Sequence, residues 1–213
     1  MKREEKKKLT RAKILATAEK MFSDKGIKKT DIREIAKSSG VSVVTFYKYF
    51  ASKEELLTEI TIKKLTEVAS LIKLNLATST DDVMSTMKRI DDLVESHTSN
   101  LHNAEFDEFM NIAFFSNPEV IAAQEAMTKD IVTAVYEQLK KTNQLQDGVT
   151  LEAMLMYVDM IVQYSRLPKN RGILGPHPRH AHTNLEQEVL NILMYGLIKK
   201  NDYELNPKHW TKI

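Results

Sequence analysis

Between Gly40 and Leu56 the chain reads Gly-Val-Ser-Val-Val-Thr-Phe-Tyr-Lys-Tyr-Phe-Ala-Ser-Lys-Glu-Glu-Leu, and its rings and methyls divide by spacing into two faces. With Ser42 as the N-cap of a short helix, Val41 and Phe46 take the two positions of a hydrophobic staple. Phe46 and Phe50, four apart, share a core face with Tyr49 at its edge. Val43, Val44, Tyr47 and Lys48 share the opposite face, which has nothing local to pack on. Two valines, a tyrosine and a lysine exposed together suit a nucleic-acid groove. Valine methyls match thymine methyls, and the Thr45 hydroxyl can donate to or accept from base edges. The Tyr47 hydroxyl and the Lys48 ammonium suit phosphate oxygens. Lys53 and Thr30 fall at the first turns of two other helical segments, where free backbone N–H groups also attract phosphate.

Other reactive patterns are weaker. The sequence holds no Gly-rich phosphate loop, no His-Glu-x-x-His, no Gly-x-Ser-x-Gly and no carboxylate pair at a telling spacing, so an enzyme is not expected. His177, His180 and His182 share a loop of glycines and prolines. Two alternate histidines could share a cation, but no third ligand is placed, and the segment reads as a polar loop with no metal. Asp159 interrupts an apolar run, yet Glu152, Asp159, Gln163 and Arg166 form a polar stripe, which suits solvent or a partner surface.

These side chains need a helical scaffold, and the periodicity supplies one. No run alternates as a strand would, and nine helices are predicted over 9–25, 30–39, 42–49, 52–76, 79–101, 103–115, 117–143, 150–166 and 183–200. Ile14, Leu15, Ala18, Met21 and Phe22 give the first a single apolar face. Gly26 and Gly40 stop the first two helices, with Gly40 supplying the positive φ of the turn before the third. Ser52-Lys53-Glu54-Glu55 and Thr183-Asn184-Leu185-Glu186 are capping boxes, and Asn117-Pro118 is an N-cap followed by proline at the first helical position. Two short helices joined by a glycine turn are the layout of a helix-turn-helix. The fold class is therefore all-α: a three-helix DNA-binding head over 1–52, then a helical bundle over 53–213.

Composition agrees. Cysteine is absent, which removes disulfides and thiolate chemistry and fits a reducing compartment. Residues 1–56 hold 15 Lys/Arg against 8 Asp/Glu, while residues 57–213 hold 16 against 21. A basic head on an acidic body suggests that the head meets a polyanion. No apolar run reaches the roughly 18–20 residues of a membrane span, so a soluble, cytoplasmic protein is expected. A helical interaction module with a basic head would share these traits; sequence-specific, salt-sensitive DNA binding separates the two.

Residues 9–56 resemble the DNA-binding domain of TetR-family transcriptional regulators. The family pattern appears here as Phe22, Gly26, Thr30, Ile35-Ala36, Gly40-Val41-Ser42, Tyr47-Lys48-Tyr49-Phe50, Lys53 and Glu54-Glu55-Leu56. The resemblance implies a homodimer on palindromic double-stranded DNA, and a variable C-terminal domain that often takes a small effector. Carried over residue by residue, it places DNA contacts at Thr30, Ser42, Val43, Val44, Thr45, Tyr47, Tyr49 and Lys53; Lys48 joins them from the phosphate argument above. Many members carry Lys-Gly or a small polar pair where this chain has Val43-Val44, so base readout here leans on methyl contacts. No cofactor is expected.

In the body, Met84, Met87, Phe106, Phe109, Met110, Phe114, Met127 and Tyr136 lie on the fifth to seventh helices. They could line an adaptable apolar cavity for a small apolar or amphipathic effector, with plain core packing as the alternative for each. Met154, Tyr157, Val158 and Ile161 give the eighth helix an apolar face, and Leu190, Leu193, Met194, Leu197 and Ile198 do the same for the ninth. The resemblance makes these the dimer-forming pair, closing a four-helix bundle across a two-fold axis.

Overall fold

The computed structural model describes residues 3–98 and 104–167, together with 192, 196 and 197. Eight α-helices follow one another there: α1 (Arg3–Lys25), α2 (Ile32–Ser38), α3 (Val43–Tyr47), α4 (Lys53–Thr78), α5 (Val83–Thr98), α6 (Ala104–Ser116), α7 (Pro118–Lys141) and α8 (Leu151–Arg166). No strand and no membrane-spanning helix occurs among the described residues. The ninth predicted helix, the histidine loop and the terminal tail lie outside them, apart from residues 192, 196 and 197, which are helical.

The chain divides into two compact units, Met1–Glu67 with Ser96–Gln124, and Val68–Glu95 with Glu125–Ile213. In the first unit, α1 buries Ile14, Leu15, Ala18 and Phe22. It ends at Gly26, whose φ of +86° and whose N–H to the Phe22 carbonyl make a left-handed cap. Asp31, one residue past the predicted start of the helix at Thr30, caps α2: its carboxylate accepts the Arg33 N–H at 2.6 Å. Thr30 turns inward instead, donating its hydroxyl to the Gly26 carbonyl at 2.7 Å. Gly40, at φ +71°, closes α2, and the Val41 N–H reaches back to the Ala36 carbonyl. Phe22, Ile35, Phe46, Phe50, Leu56 and Ile60 are the buried centre of this unit. Each such side chain contributes about 1.5–3 kcal/mol by leaving water.

The start of α4 uses the predicted capping box, shifted by one residue on the return bond. Ser52 accepts the Glu55 N–H at 3.1 Å, and the Glu55 carboxylate accepts the Ala51 N–H at 2.6 Å. Asn117 caps α7 through the N–H groups of Glu119 and Val120, and its own amide donates to Thr58 of α4 at 3.0 Å.

The second unit packs Ile72, Leu76, Val83, Ile90, Val132, Val135, Leu139, Met154 and Leu197 into one cluster. Its polar joints are internal. The Gln144 side chain accepts the Val83 N–H at 3.0 Å, and the Lys141 ammonium donates to the Ala77 and Ser79 carbonyls that end α4. Ser79 pairs its hydroxyl with that of Thr86, so Asp82 rather than Ser79 opens α5.

Candidate nucleic-acid interface

The third helix is short, only Val43–Tyr47, because Tyr49 and Phe50 both donate to the Phe46 carbonyl and pull the chain into a turn. Ser42 caps it as predicted, accepting the Thr45 N–H at 3.0 Å. Beneath it, the buried Phe46 ring meets Tyr47 edge-on with centroids 5.6 Å apart and Phe50 at 5.8 Å. The outer face carries Val44, 70% exposed, Tyr47, 51% exposed, and the exposed Lys48 and Ser42. The two faces read from spacing are thus present, with one change. Val43 does not stand on the open face; it is half-buried and packs on the core cluster, as Tyr49 does at the other edge. The helix is too short to hold both valines clear of α2, so Val44 alone forms the apolar tip.

The remaining predicted contacts vary. Thr45 is half-buried, and its hydroxyl shares a 2.8 Å hydrogen bond with that of Ser42, which leaves each oxygen further capacity. Thr30 is a correction. It is 1% exposed, and its hydroxyl serves the carbonyls of Gly26 and Met21, so its side chain presents nothing to a phosphate. Lys53 is half-buried with its ammonium 2.9 Å from the Ile27 carbonyl. The N-terminus of α4 around it already has anions. The Glu54 carboxyl is held below its ordinary range by its own backbone N–H and then by the Ser52 hydroxyl, against the opposing effect of burial, with the Lys53 charge adding least. The attraction of a second anion there rests on the Lys53 ammonium rather than on free N–H groups.

Two residues that spacing alone did not flag hold this face in place. Arg11 donates to the Tyr49 carbonyl at 2.7 Å, pairs through both arms with Glu59 of α4, and lies 4.3 Å over the Phe50 ring. Its place on the same side of α1 as Ile14, Leu15 and Ala18 was the available signal. Glu105 of α6 accepts the Lys28 N–H at 2.7 Å, and a β-carbon on Gly26 would stand 3.0 Å from its carboxylate. No local pattern links positions 77 residues apart.

The body residues scatter. Phe109 packs against the core of the first unit, whereas Tyr136 packs against that of the second. Phe114 is buried and Met127 half-buried; the side chains of Met84, Met87, Phe106 and Met110 lie outside the described residues. A cleft of about 190 Å³ opens instead between α7 and α8, lined by Glu125, Thr128, Lys129, Val132, Leu155, Asp159 and Val162. Of the predicted lining residues whose side chains are described, Phe109, Phe114, Met127 and Tyr136, none borders it. On α8, Met154 is only 4% exposed and sits in the core of its own chain, with Val158 packed beside it. Met154 is therefore covered before any partner arrives, and Leu197 likewise. Tyr157 and Ile161 are half-buried, while Leu190, Leu193 and Met194 lie outside the described residues. The exposed apolar stripe of α8 is Met156, Met160, Tyr164 and then Leu167 just past its end.

Residues 14–60 match the family described as bacterial regulatory proteins, tetR family. An uncharacterized HTH-type transcriptional regulator of Bacillus subtilis (strain 168), YdgC, is 30% identical over 203 residues, covering 91% of this chain and 95% of YdgC. Among solved structures, SmeT, the repressor of the Stenotrophomonas maltophilia multidrug efflux pump SmeDEF, superposes with a TM-score of 0.53 at 16% identity, over 91% of this chain and 92% of SmeT. Thermus thermophilus FadR, a TetR-family transcriptional repressor solved with lauroyl-CoA, gives 0.52 at 19% identity, over 91% and 98% of the two chains. At these identities the likeness to the solved structures is one of fold.

Proposed function

This chain belongs to the tetR family of DNA-binding transcriptional regulators, and from that premise we propose that it is a repressor that grips palindromic operator DNA as a homodimer and lets go when a small apolar or amphipathic effector binds. The observation that carries the reading is the face of α3. Val44, Tyr47 and Lys48 stand in solvent on a helix fixed from behind by Phe46, Phe50 and Arg11. Val44 reads a thymine methyl, Thr45 and Ser42 supply hydroxyls to base edges, and Tyr47, Lys48 and Lys53 take phosphates.

Two recognition helices of a dimer enter successive major grooves about 34–36 Å apart. The exposed stripe Met156, Met160 and Tyr164 on α8 supports a partner on that helix, together with the ninth helix. The cleft between α7 and α8, floored by Val132, Leu155 and Val162 and rimmed by Glu125, Lys129 and Asp159, supports an amphipathic effector. A coupling of about 1–3 kcal/mol between effector and operator shifts affinity about 5- to 150-fold, enough for a switch.

The test is fluorescence anisotropy with duplexes selected from a random pool, against unselected competitor DNA at two salt concentrations. Tight, salt-sensitive binding that survives competitor and disappears in the Tyr47→Ala, Lys53→Ala double variant is expected. Equal, weak binding to every duplex by a folded protein would sink the operator reading.

A further inference from the structure

The charge run at the start of the chain is helical. Where periodicity places the first helix at 9–25, α1 runs unbroken from Arg3. Its first eight residues, Arg3 to Thr10, project about 12 Å ahead of Arg11 at 1.5 Å per residue, and burial begins only at Ile14. Arg3 to Leu9 are all exposed. A solvated tail has no reason to be ordered, yet the residue order here favours a helix without tertiary support. Glu4 and Glu5 occupy the first turn, where the helix dipole favours acids. Glu4 stands three and four residues before Lys7 and Lys8, the spacing and polarity that stabilise an isolated helix. The Thr10 hydroxyl also donates to the Lys6 carbonyl at 2.9 Å.

The direction of this projection is fixed by Arg11. Its guanidinium bonds the Tyr49 carbonyl, two residues past the end of α3, and stacks on Phe50. Lys7 and Lys8 lie four and three residues before Arg11, so they share its side of the helix and stand about 4.5–6 Å further along the axis. A major groove is about 12 Å wide. With α3 inside one, a lysine stem reaching out from beyond its C-terminal end meets the phosphate ridge rather than the bases.

We infer that the first two turns of α1 form a second, sequence-independent DNA contact, in which Lys7 and Lys8 bind the phosphates bordering the groove that α3 enters. The inference rests on the operator-binding reading above and deepens it. The recognition helix supplies sequence preference, while the projecting turns supply affinity and lengthen the bound site.

The experiment compares the full chain with its Lys7→Gln, Lys8→Gln variant and with a Lys→Arg version at the same two positions. Both are titrated into a selected operator with long flanks between about 50 and 200 mM salt. Each phosphate contact contributes about 0.9 to the slope of log affinity against log salt, so the glutamine variant loses roughly 2 from the slope and about tenfold in affinity at low salt. The arginine version keeps both, and the preference for operator over random duplex is unchanged. On a duplex trimmed to the half-sites, the chain and its glutamine variant converge. An unaltered slope and affinity on the long duplex, with the far-ultraviolet circular dichroism intact, overturns the inference. So does loss of retention on anionic vesicles in place of a DNA effect, which would assign the lysines to a membrane surface. If the unaltered chain itself fails to bind any selected duplex, the operator reading falls first and this contact with it.

Discussion

Helices α3 and α8 both carry more apolar residues than one face needs, and they resolve the excess differently. In α3 the buried side is built from aromatic rings, Phe46 with Phe50 just beyond, and the open side from Val44, Tyr47 and Lys48. In α8 the apolar residues go round the helix: Met154 and Val158 pack inward, while Met156, Met160 and Tyr164 face out. Spacing therefore misplaces only Val43 in α3 but leaves two answers in α8, since residues 154, 157, 158 and 161 and residues 156, 160, 164 and 167 are both acceptable stripes. What decides between them is which neighbours cover the helix, and these come from α4, α5 and α7 rather than from α8 itself.

The comparison makes its strongest claim about inside and outside. Phe46→Ala should cost about 3–5 kcal/mol in a denaturant titration, because it empties the centre of the first unit. Tyr47→Ala next to it should change stability little and abolish tight operator binding. Comparable destabilisation by both would erase the distinction drawn for α3.

For α8 the paired variants separate the two stripes. Met154→Ala should cost about 2–5 kcal/mol and leave association unchanged at temperatures where the chain is folded. Met156→Glu with Met160→Glu should give a folded monomer by sedimentation equilibrium. A monomer from Met154→Ala and a dimer from the double glutamate would restore the inner stripe as the partner surface.

A smaller effect sharpens the base readout. Replacing thymine by uracil at one position of a single half-site should weaken binding about fourfold, near the roughly 0.8 kcal/mol of one buried methyl. Val44→Ala should lose that discrimination, whereas Val43→Ala, already packed on the core, should keep it.

The smallest effect concerns the start of α4. The Glu54 carboxyl is held low by backbone and hydroxyl hydrogen bonds, so its contribution to stability is complete above the ordinary glutamate value of about 4.3 and disappears as pH falls through the lowered one. The stability difference between the chain and Glu54→Gln should therefore shrink between pH 6 and about pH 3, as followed by urea titration. A difference that grows with acid would reverse the assignment.

The sequence foretold much of the head because its determinants are close together. Gly26, Gly40, Ser42 and Ser52 end or begin helices where glycine and cap chemistry place them, as Asn117 does for α7 outside the head. The misses share a cause. Thr30 had a second use for its hydroxyl, on carbonyls that only the folded turn brings near. Arg3 to Lys8 carry no apolar period, so helix formation there rests on charge order that the periodicity does not register. Arg11 and Glu105 act on residues 38 and 77 positions away. For the body, Phe109 and Tyr136 belonged to one expected cavity and pack in different cores.

The turn between α1 and α2 is fastened from three directions. Lys53 holds the Ile27 carbonyl, Glu105 the Lys28 N–H, and Thr30 the Gly26 carbonyl. Anyone exchanging recognition heads between related proteins would naturally cut after residue 52, where the motif ends. That cut carries the turn away from two of its three fastenings. A working chimera has to keep a lysine at 53 and an acid at 105 with the new head, and a glycine at 26 to leave the acid room.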